Sequence, residues 1–502
     1  MATSDSFDKH LTDLKAMAST IYTKSSNPEQ FHEHTAPWSK WANRDPKAAI
    51  VPQTLDELQK IIKYLYASDL DFSIRNTGTG GSSATDVVVS MQNFKQFDFN
   101  PEDETVILGA GLSWGEVDSI IEDKYPGYGF VGARCTWVGV TGGTLVGGLS
   151  WLSHEYGMFS DPQNFLNAQV VLKDGRVVWA AKEEPDLMWA SRGGGGNFGV
   201  VAALKVKVRK VPSDIFGGII VVPYSSLEET SRAVAAMHRR PTDPKVAMHI
   251  TNTGPGMGMP DKGAKPDIAI MPIDFRGEAH VRSDEGFGWA WKASHNIFLS
   301  SGATEVVAFA KSLREINALA DSFKSYQNTN EFWGSAAMIS GIDDYTLVRA
   351  WKWYEDSVNL HPGFSIGSTV LLEFMQEGAF NSVSSPTDTA WPHGRGRRHV
   401  MQVVLGCPEG SKKDVKSLAM EQFSKLHDEV GGPKYRTEEW HAGFLHEFND
   451  LSKVYGENWS RLKEVKKKYD PDNRFNKGVD IANGRTSEGM TVSSAIVPEA
   501  VA

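Results

Sequence analysis

The sequence predicts an α+β protein made of two unlike parts, and three observations carry that expectation. Strand and helix signals alternate from about Ala48 to Pro212. From about Ser213 aromatic residues become denser and short apolar runs recur, the pattern of an antiparallel sheet with helices on one side. Glycine is concentrated in three clusters, all in the first part.

In chain order, the elements read as follows. Ala48 to Val51 is a short apolar strand. Thr54 to Glu57 has the spacing of a capping box, and Leu58, Ile61, Ile62 and Leu65 then share one helical stripe. Phe72 to Ile74, Val87 to Val89 and Val106 to Leu108 read as strands. Ser113 and Glu116 predict a second capping box. Ala168 to Leu172 and Val177 to Ala180 flank Asp174-Gly175, a hairpin signal. Glu184 to Arg192 reads as a helix and Val200 to Val208 as a strand. In the second part, Thr304 to Phe323 has helical periodicity, and Phe364 to Phe374 and His399 to Leu405 read as strands. The runs Ile219 to Val222 and Ile268 to Met271 predict strands, each stopped by a proline. Asn458 to Lys468 is a basic helix ended by Tyr469-Asp470-Pro471-Asp472. A polar tail follows from about Asn483.

Composition removes several classes of function. With 40% hydrophobic and 23% charged residues in 502, the chain can bury a large core. A net charge of -10 argues against a nucleic-acid partner, whose footprint is a basic face. Two cysteines, Cys135 and Cys407, cannot build a disulfide scaffold. The amino terminus has neither the basic nor the apolar region of a signal peptide, and no apolar stretch reaches membrane-span length. The expectation is a cytoplasmic protein without nucleic-acid or membrane partners and without a metal site.

The glycine clusters suggest chemistry. The first, Arg75-Asn76-Thr77-Gly78-Thr79-Gly80-Gly81-Ser82-Ser83, directly follows a strand. Converging amides and hydroxyls there would suit a pyrophosphate, and a plain flexible loop would use the same residue types. The second, Val138 to Gly148, holds five glycines in eleven residues, a poor composition for a helix or plain strand. The third, Gly193 to Gly199, contains a formal G-x-G-x-x-G through Gly194, Gly196 and Gly199. It follows a helix and precedes a strand, the reverse of the nicotinamide-binding order, so that fingerprint is rejected.

Taken together, these loops, with Gly109-Ala110-Gly111, Cys135-Thr136-Trp137-Val138-Gly139, Tyr156-Gly157, Ser160-Asp161, Asn164 and Tyr469 to Phe475, resemble those of a known family. The chain is similar to FAD-linked oxidases of the vanillyl-alcohol-oxidase superfamily, in the fungal berberine-bridge-enzyme-like branch, from about Trp38 to Ile481. The resemblance implies a two-subdomain PCMH-type FAD-binding domain at 42–213 and an antiparallel-sheet substrate domain backed by helices at 214–454. It also implies a C-terminal segment at 455–483 that returns to the flavin domain, then a flexible tail at 484–502. It implies FAD contacts from Arg75, Asn76, Thr77, Gly78, Thr79, Gly80, Ser82 and Ser83 in the first loop. Cys135, Val138, Gly139, Thr141, Gly142, Gly143, Leu145 and Gly148 follow in the second, with Tyr156, Gly157 and Asn164 beyond them. Gly199 and Val200 would meet the AMP half, and Asn473 and Phe475 would return from the far end of the chain. The implied activity is an oxidase acting on a small natural-product intermediate of secondary metabolism, with dioxygen as the second substrate. The alternative is a redox-neutral isomerase or cyclase that uses FAD as a scaffold.

The chain also departs from that family. Thr79 stands where relatives attach FAD through histidine, which excludes bicovalent attachment. Cys135 stands at the family's cysteine position and has two readings, a thioether to the flavin or a buried free thiol. Val138 implies dioxygen access, or else is a packed β-branched residue. Val400 occupies the strand position where relatives carry a proton acceptor. The catalytic candidates are therefore Glu447 and His446 in Phe444 to Phe448, with Gln402 orienting the substrate and Tyr156 as a further candidate. Glu447 has the alternative of lying solvated on the surface. Glu373 remains unranked.

Overall fold

The computed structural model describes residues 4–254, 262–293, 312–374, 377–393, 396, 398–410 and 413–486. Three sheets organise it. In the first, Ala48–Ile50, Val87–Ser90 and Phe72–Arg75 run parallel, and Ile21–Thr23 adds an antiparallel edge. That edge strand and the helix Ser4–Lys15 precede residue 42, so the sheet begins ahead of the expected boundary. The second sheet is antiparallel, in the order Phe97–Asn100, Thr105–Gly109, Val200–Lys210, Phe165–Val171, Val177–Trp179, with Tyr128–Phe130 on the far end of Val200–Lys210. The third is a large antiparallel sheet in the order Phe216–Gly217, Ile268–Asp274, Val246–Asn252, Thr369–Phe374, His399–Cys407, Glu331–Ile339, Arg436–Trp440. Ile220–Val222 also pairs with Ile268–Asp274.

Local chemistry explains most elements. The helix Leu55–Ala67 buries the expected stripe Leu58, Ile61, Ile62 and Leu65. Its Thr54 side chain caps Glu57 N, but the Glu57 carboxylate turns to Gln53 N, at 2.9 Å, so only half of that capping box forms. The box at Ser113 and Glu116 is complete. The second glycine cluster departs from expectation, because Val140–Leu145 is a short helix. Val140, Thr141, Thr144 and Leu145 are buried in the surrounding core, and that packing offsets the low helix propensity of Gly142 and Gly143. Phe364 lies in a 3₁₀ turn, and the strand begins only at Thr369, after Gly367 at φ 67°. Pro272 sits inside its strand rather than ending it. Phe216–Gly217 and Ile220–Val222 pair on either side of it, so its missing N–H falls at the break between them. Of the expected helix at 304–323, residues 304–311 lie outside the described residues, and the rest form Leu313–Ala318 and a 3₁₀ turn, Asp321–Tyr326. The tail expected from Asn483 lies outside them beyond residue 486.

The large sheet has two different faces. Met401, Val403, Leu405, Val370, Leu372, Met248, Ile250 and Trp333 face a core built with the helices Leu227–His238 and Thr346–Asn359. On the other face, Ala247, Ile273, Ala336, Met338 and Val400 join the core of the glycine-rich part, among them Trp151, Phe159 and Leu145. Strand alternation thus gives one sheet a structural side and a side turned toward the loops.

The end of the chain returns to the first part. Phe475 is buried with Tyr66 and Phe72, and Arg474 Nη2 donates to Leu65 O at 3.1 Å. Lys466, in the helix Trp459–Tyr469, is 1% exposed and pairs with fully buried Asp470. The same ammonium donates to Asn197 O at 2.9 Å and Phe475 O at 3.0 Å, fastening the third glycine cluster to the terminus. Removing one member of such a buried pair leaves an uncompensated charge.

Candidate active site

The three glycine clusters converge. Asn76 Oδ1 lies where a Cβ on Gly139 would have to sit, so only glycine allows the first two loops this approach. Thr79 Oγ1 donates to Trp137 O at 3.4 Å, and Trp137 stacks on Trp38. Leu145 O accepts the amides of both Gly193, at 3.0 Å, and Gly195, at 2.9 Å, joining the second loop to the third. Gly193 and Gly195 have φ of 116° and 71°, and Gly78 has 82°, conformations that side chains disfavour.

Buried polar atoms in these loops and in the returning terminus lack protein partners. Among the described residues Arg75 Nε, Asn76 Oδ1, Asn197 Oδ1 and Asn473 Oδ1 are buried and make no hydrogen bond. Burial pushes the Arg75 guanidinium down to about 10. Gly142 and Gly196 border open space, with no atom within 4 Å of an added Cβ. Uncommitted donors and acceptors, one cation and bare backbone fit a dinucleotide's phosphates, ribose and flat ring.

Other sequence-predicted positions also brace the chain internally. Asn164 Nδ2 donates to Tyr156 O and Met158 O, and its Oδ1 accepts from Arg209, so its side chain ties these segments together. Gly157 is needed because a Cβ would strike Ser382 and Asp161. Asp161 is itself buried and bound to His393 Nε2 at 2.6 Å. Gly199 packs tightly on Val170 and Val171, and Val200 pairs with Val171. Ser83 Oγ accepts from Arg44 N.

Cys135 is partly buried, and its thiol is pushed up to about 12, first by burial, with Arg134 opposing and Glu373 adding to the rise. Cys407 is fully buried on the structural side of the large sheet, away from the loops. Val138, half-buried, follows in a turn closed by Val138 N to Cys135 O.

Facing these loops, register aligns the large sheet's side chains in rows. His249 pairs with Glu373, Glu373 with Val400, and Val400 with Met338. The next row is Thr251, Leu371, Gln402 and Ala336. Arg134, next to Cys135, reaches across to the first row. Its Nη1 donates to His249 Nε2 at 2.6 Å and Glu373 Oε2 at 2.7 Å, and its Nη2 donates to Glu373 Oε1 at 2.7 Å. Trp151 lies against both, its ring 4.2 Å from the His249 ring and 5.5 Å from the guanidinium carbon. Trp151 Nε1 is held by Asn317, which donates to Asp118 Oδ2 at 2.7 Å. Burial raises Asp118 to about 7. Burial first, and then Arg134, lowers His249 well below its usual range, so it is neutral near pH 7.

The expected catalytic residues divide. Gln402 stands on the loop-facing side, as alternation predicts. Glu447 does not reach the site. Its side chain is 52% exposed and ion-paired with Lys416 at 2.7 Å. Burial is the largest single influence and raises its carboxyl, but the hydrogen bond and charge of Lys416, its own backbone amide and His446 together outweigh that and hold it low, the wrong direction for a base. His446 is buried on the structural side, stacked on Phe423 and Phe448, with Nε2 donating to Gly334 O at 2.6 Å and its imidazole driven down to about 4 by burial. The Tyr156 phenol lies against the Arg209 guanidinium at 4.5 Å, and burial raises its pKa, so it is no proton acceptor in the row. Sequence reasoning missed Arg134 and His249. The one available signal was a lone arginine beside the cysteine of an acidic chain.

Comparison with known proteins agrees with this geometry. Residues 46–181 match the FAD binding domain family, and residues 447–479 match the berberine and berberine like family. An uncharacterized FAD-linked oxidoreductase of Arthroderma benhamiae is 34% identical over 210 residues, 40% of this chain and 41% of that protein. The chain thus spans about two-fifths of that relative's length in the match. The FAD-linked oxidoreductase iacH of Pestalotiopsis fici is 26% identical over 89% of this chain and 85% of its own. Among solved structures, the xylooligosaccharide oxidase of Myceliophthora thermophila, in complex with xylobiose, superposes with a TM-score of 0.71 at 17% identity, covering 98% of this chain and 100% of that one.

Proposed function

This chain belongs to the berberine-bridge-like FAD-linked oxidoreductases, and from that premise we propose that it is an oxidase of a small organic substrate, with dioxygen as electron acceptor. The observation that carries the flavin-enzyme part of this reading is the apposition of three glycine loops with the row His249, Glu373 and Val400, joined by Arg134 beside Cys135. Arg75, Asn76, Asn197 and Asn473 would hold FAD, with the backbone of Gly78 to Ser83 and Gly139 to Gly143 around it. FAD supplies the two-electron acceptor that protein side chains lack. The chain orients the substrate through Gln402 and Arg134, and Leu371, Val400, Met338 and Ala336 exclude water from the reacting face. That largely apolar lining favours a natural-product skeleton over a sugar. Any covalent link runs through Cys135 alone, since Thr79 carries only a hydroxyl, engaged with Thr77 and Trp137.

The oxidase assignment rests on Val138 and is tested without substrate. Flavin in the purified protein is reduced with dithionite and mixed with air-saturated buffer. Val138→Leu is expected to slow reoxidation roughly tenfold, an activation cost of about 1.4 kcal/mol. Equal rates would make Val138 a packing residue and remove the support for an oxidase.

A further inference from the structure

Arg134 has donors that the cluster around it leaves uncommitted. Its end-on edge, Nη1 and Nη2, grips the Glu373 carboxylate, and the second Nη1 hydrogen goes to His249. The five guanidinium hydrogens lie in one plane. Those that remain are Nε–H and the second Nη2–H, which make no hydrogen bond among the described residues. These two form the side-on fork, the geometry that takes two coplanar oxygens at once. The Arg134 side chain is 14% exposed and Glu373 only 2%, so the arginine is the more accessible member of the pair. Trp151 packs on the guanidinium and holds its plane.

Charge decides what the fork accepts. Glu373 already neutralises Arg134, and His249 carries no charge near pH 7. A carboxylate or phenolate bound there would leave a buried negative charge without a partner. A neutral pair of oxygens avoids that cost and still satisfies both hydrogens.

We propose that Arg134 is the residue that selects the substrate, taking through its side-on fork a neutral, planar pair of oxygens such as an ortho-hydroxyaryl ketone or an enolised 1,3-dicarbonyl. The inference rests on the flavin reading above and names its substrate class. Glu373 is then a positioning residue that sets the charge preference through Arg134.

The probes are 2-hydroxyacetophenone, which is neutral, and salicylate, which is anionic, each titrated by calorimetry into protein whose FAD content has first been read from its absorption. A preparation that takes up no FAD refutes the flavin reading before any probe is added. With FAD bound, 2-hydroxyacetophenone should bind the wild type more tightly than salicylate does. Arg134→Lys keeps the charge and removes the fork, and should weaken 2-hydroxyacetophenone roughly tenfold or more. Glu373→Gln keeps an acceptor oxygen but frees the arginine's charge, and should tighten salicylate by a similar factor while moving 2-hydroxyacetophenone little. A purely structural role for Glu373 would not reverse the preference between the two probes. Unchanged 2-hydroxyacetophenone binding in Arg134→Lys, or unchanged salicylate binding in Glu373→Gln, would overturn the proposal.

Discussion

The glycine loops and the loop-facing side of the large sheet build their chemistry in different ways. In the loops the backbone does the work. Glycines at φ 82°, 116° and 71° turn the chain, and Gly139 lets Asn76 close on it. On the sheet the work is done by side chains that come together only through register, as when His249, Glu373 and Val400 fall in one row from three strands. Backbone sites leave a mark in composition, whereas register sites leave almost none, because each contributing residue is separated in sequence from its partners.

The two regions should break differently. The largest effect belongs to the terminal fastening of the loops. Lys466→Met leaves buried Asp470 unpaired and should cost about 4 kcal/mol in denaturant unfolding, with FAD lost alongside. Adding Asp470→Asn should recover part of that loss, and an unaltered midpoint for Lys466→Met would show that the pair does not fasten the loops.

On the sheet side, Asp118 props Trp151 through Asn317 and titrates near 7. Its folded pKa lies above the unfolded value, so between about pH 4 and 7 the native state binds the extra proton. Stability should therefore fall as pH rises through that window, by up to about 4 kcal/mol from this group, and level off above it. Asp118→Asn keeps the acceptor for Asn317 and should flatten that slope. A slope that survives the substitution would assign it to other groups.

Gly139→Ala should cost about 3 kcal/mol by forcing Asn76 off the second loop, and should lower FAD content more than overall stability. The smallest effect separates the two carboxylates. Glu447→Gln removes one half-exposed ion pair and should change stability by less than about 1 kcal/mol, with FAD content and probe binding unchanged. A large loss of turnover in that variant would return Glu447 to the site.

What was legible in the sequence follows the same division. Ser113 and Glu116 announce their capping box, and Leu58 to Leu65 their buried stripe, because both signals are local. Two misses arise where distant packing overrides such local signals. The Val140–Leu145 helix forms against its glycine content because the surrounding core holds its buried face, and Pro272 survives inside a strand because the neighbouring strand is interrupted there. Glu447 drew attention as a carboxylate in a suggestive window, but Lys416, thirty-one residues earlier, decides its fate. Nothing in one sequence relates Arg134 to Glu373, which become neighbours only when the two halves pack.

If the converging loops hold one FAD opposite the polar row, the purified protein must carry it. The absorption spectrum, taken with a protein assay and repeated on the supernatant after acid precipitation, reads this directly. A flavin spectrum at one FAD per chain is expected, and any flavin remaining in the pellet should be released from Cys135→Ala protein. A colourless protein that also takes up no added FAD would contradict the assignment of the loops.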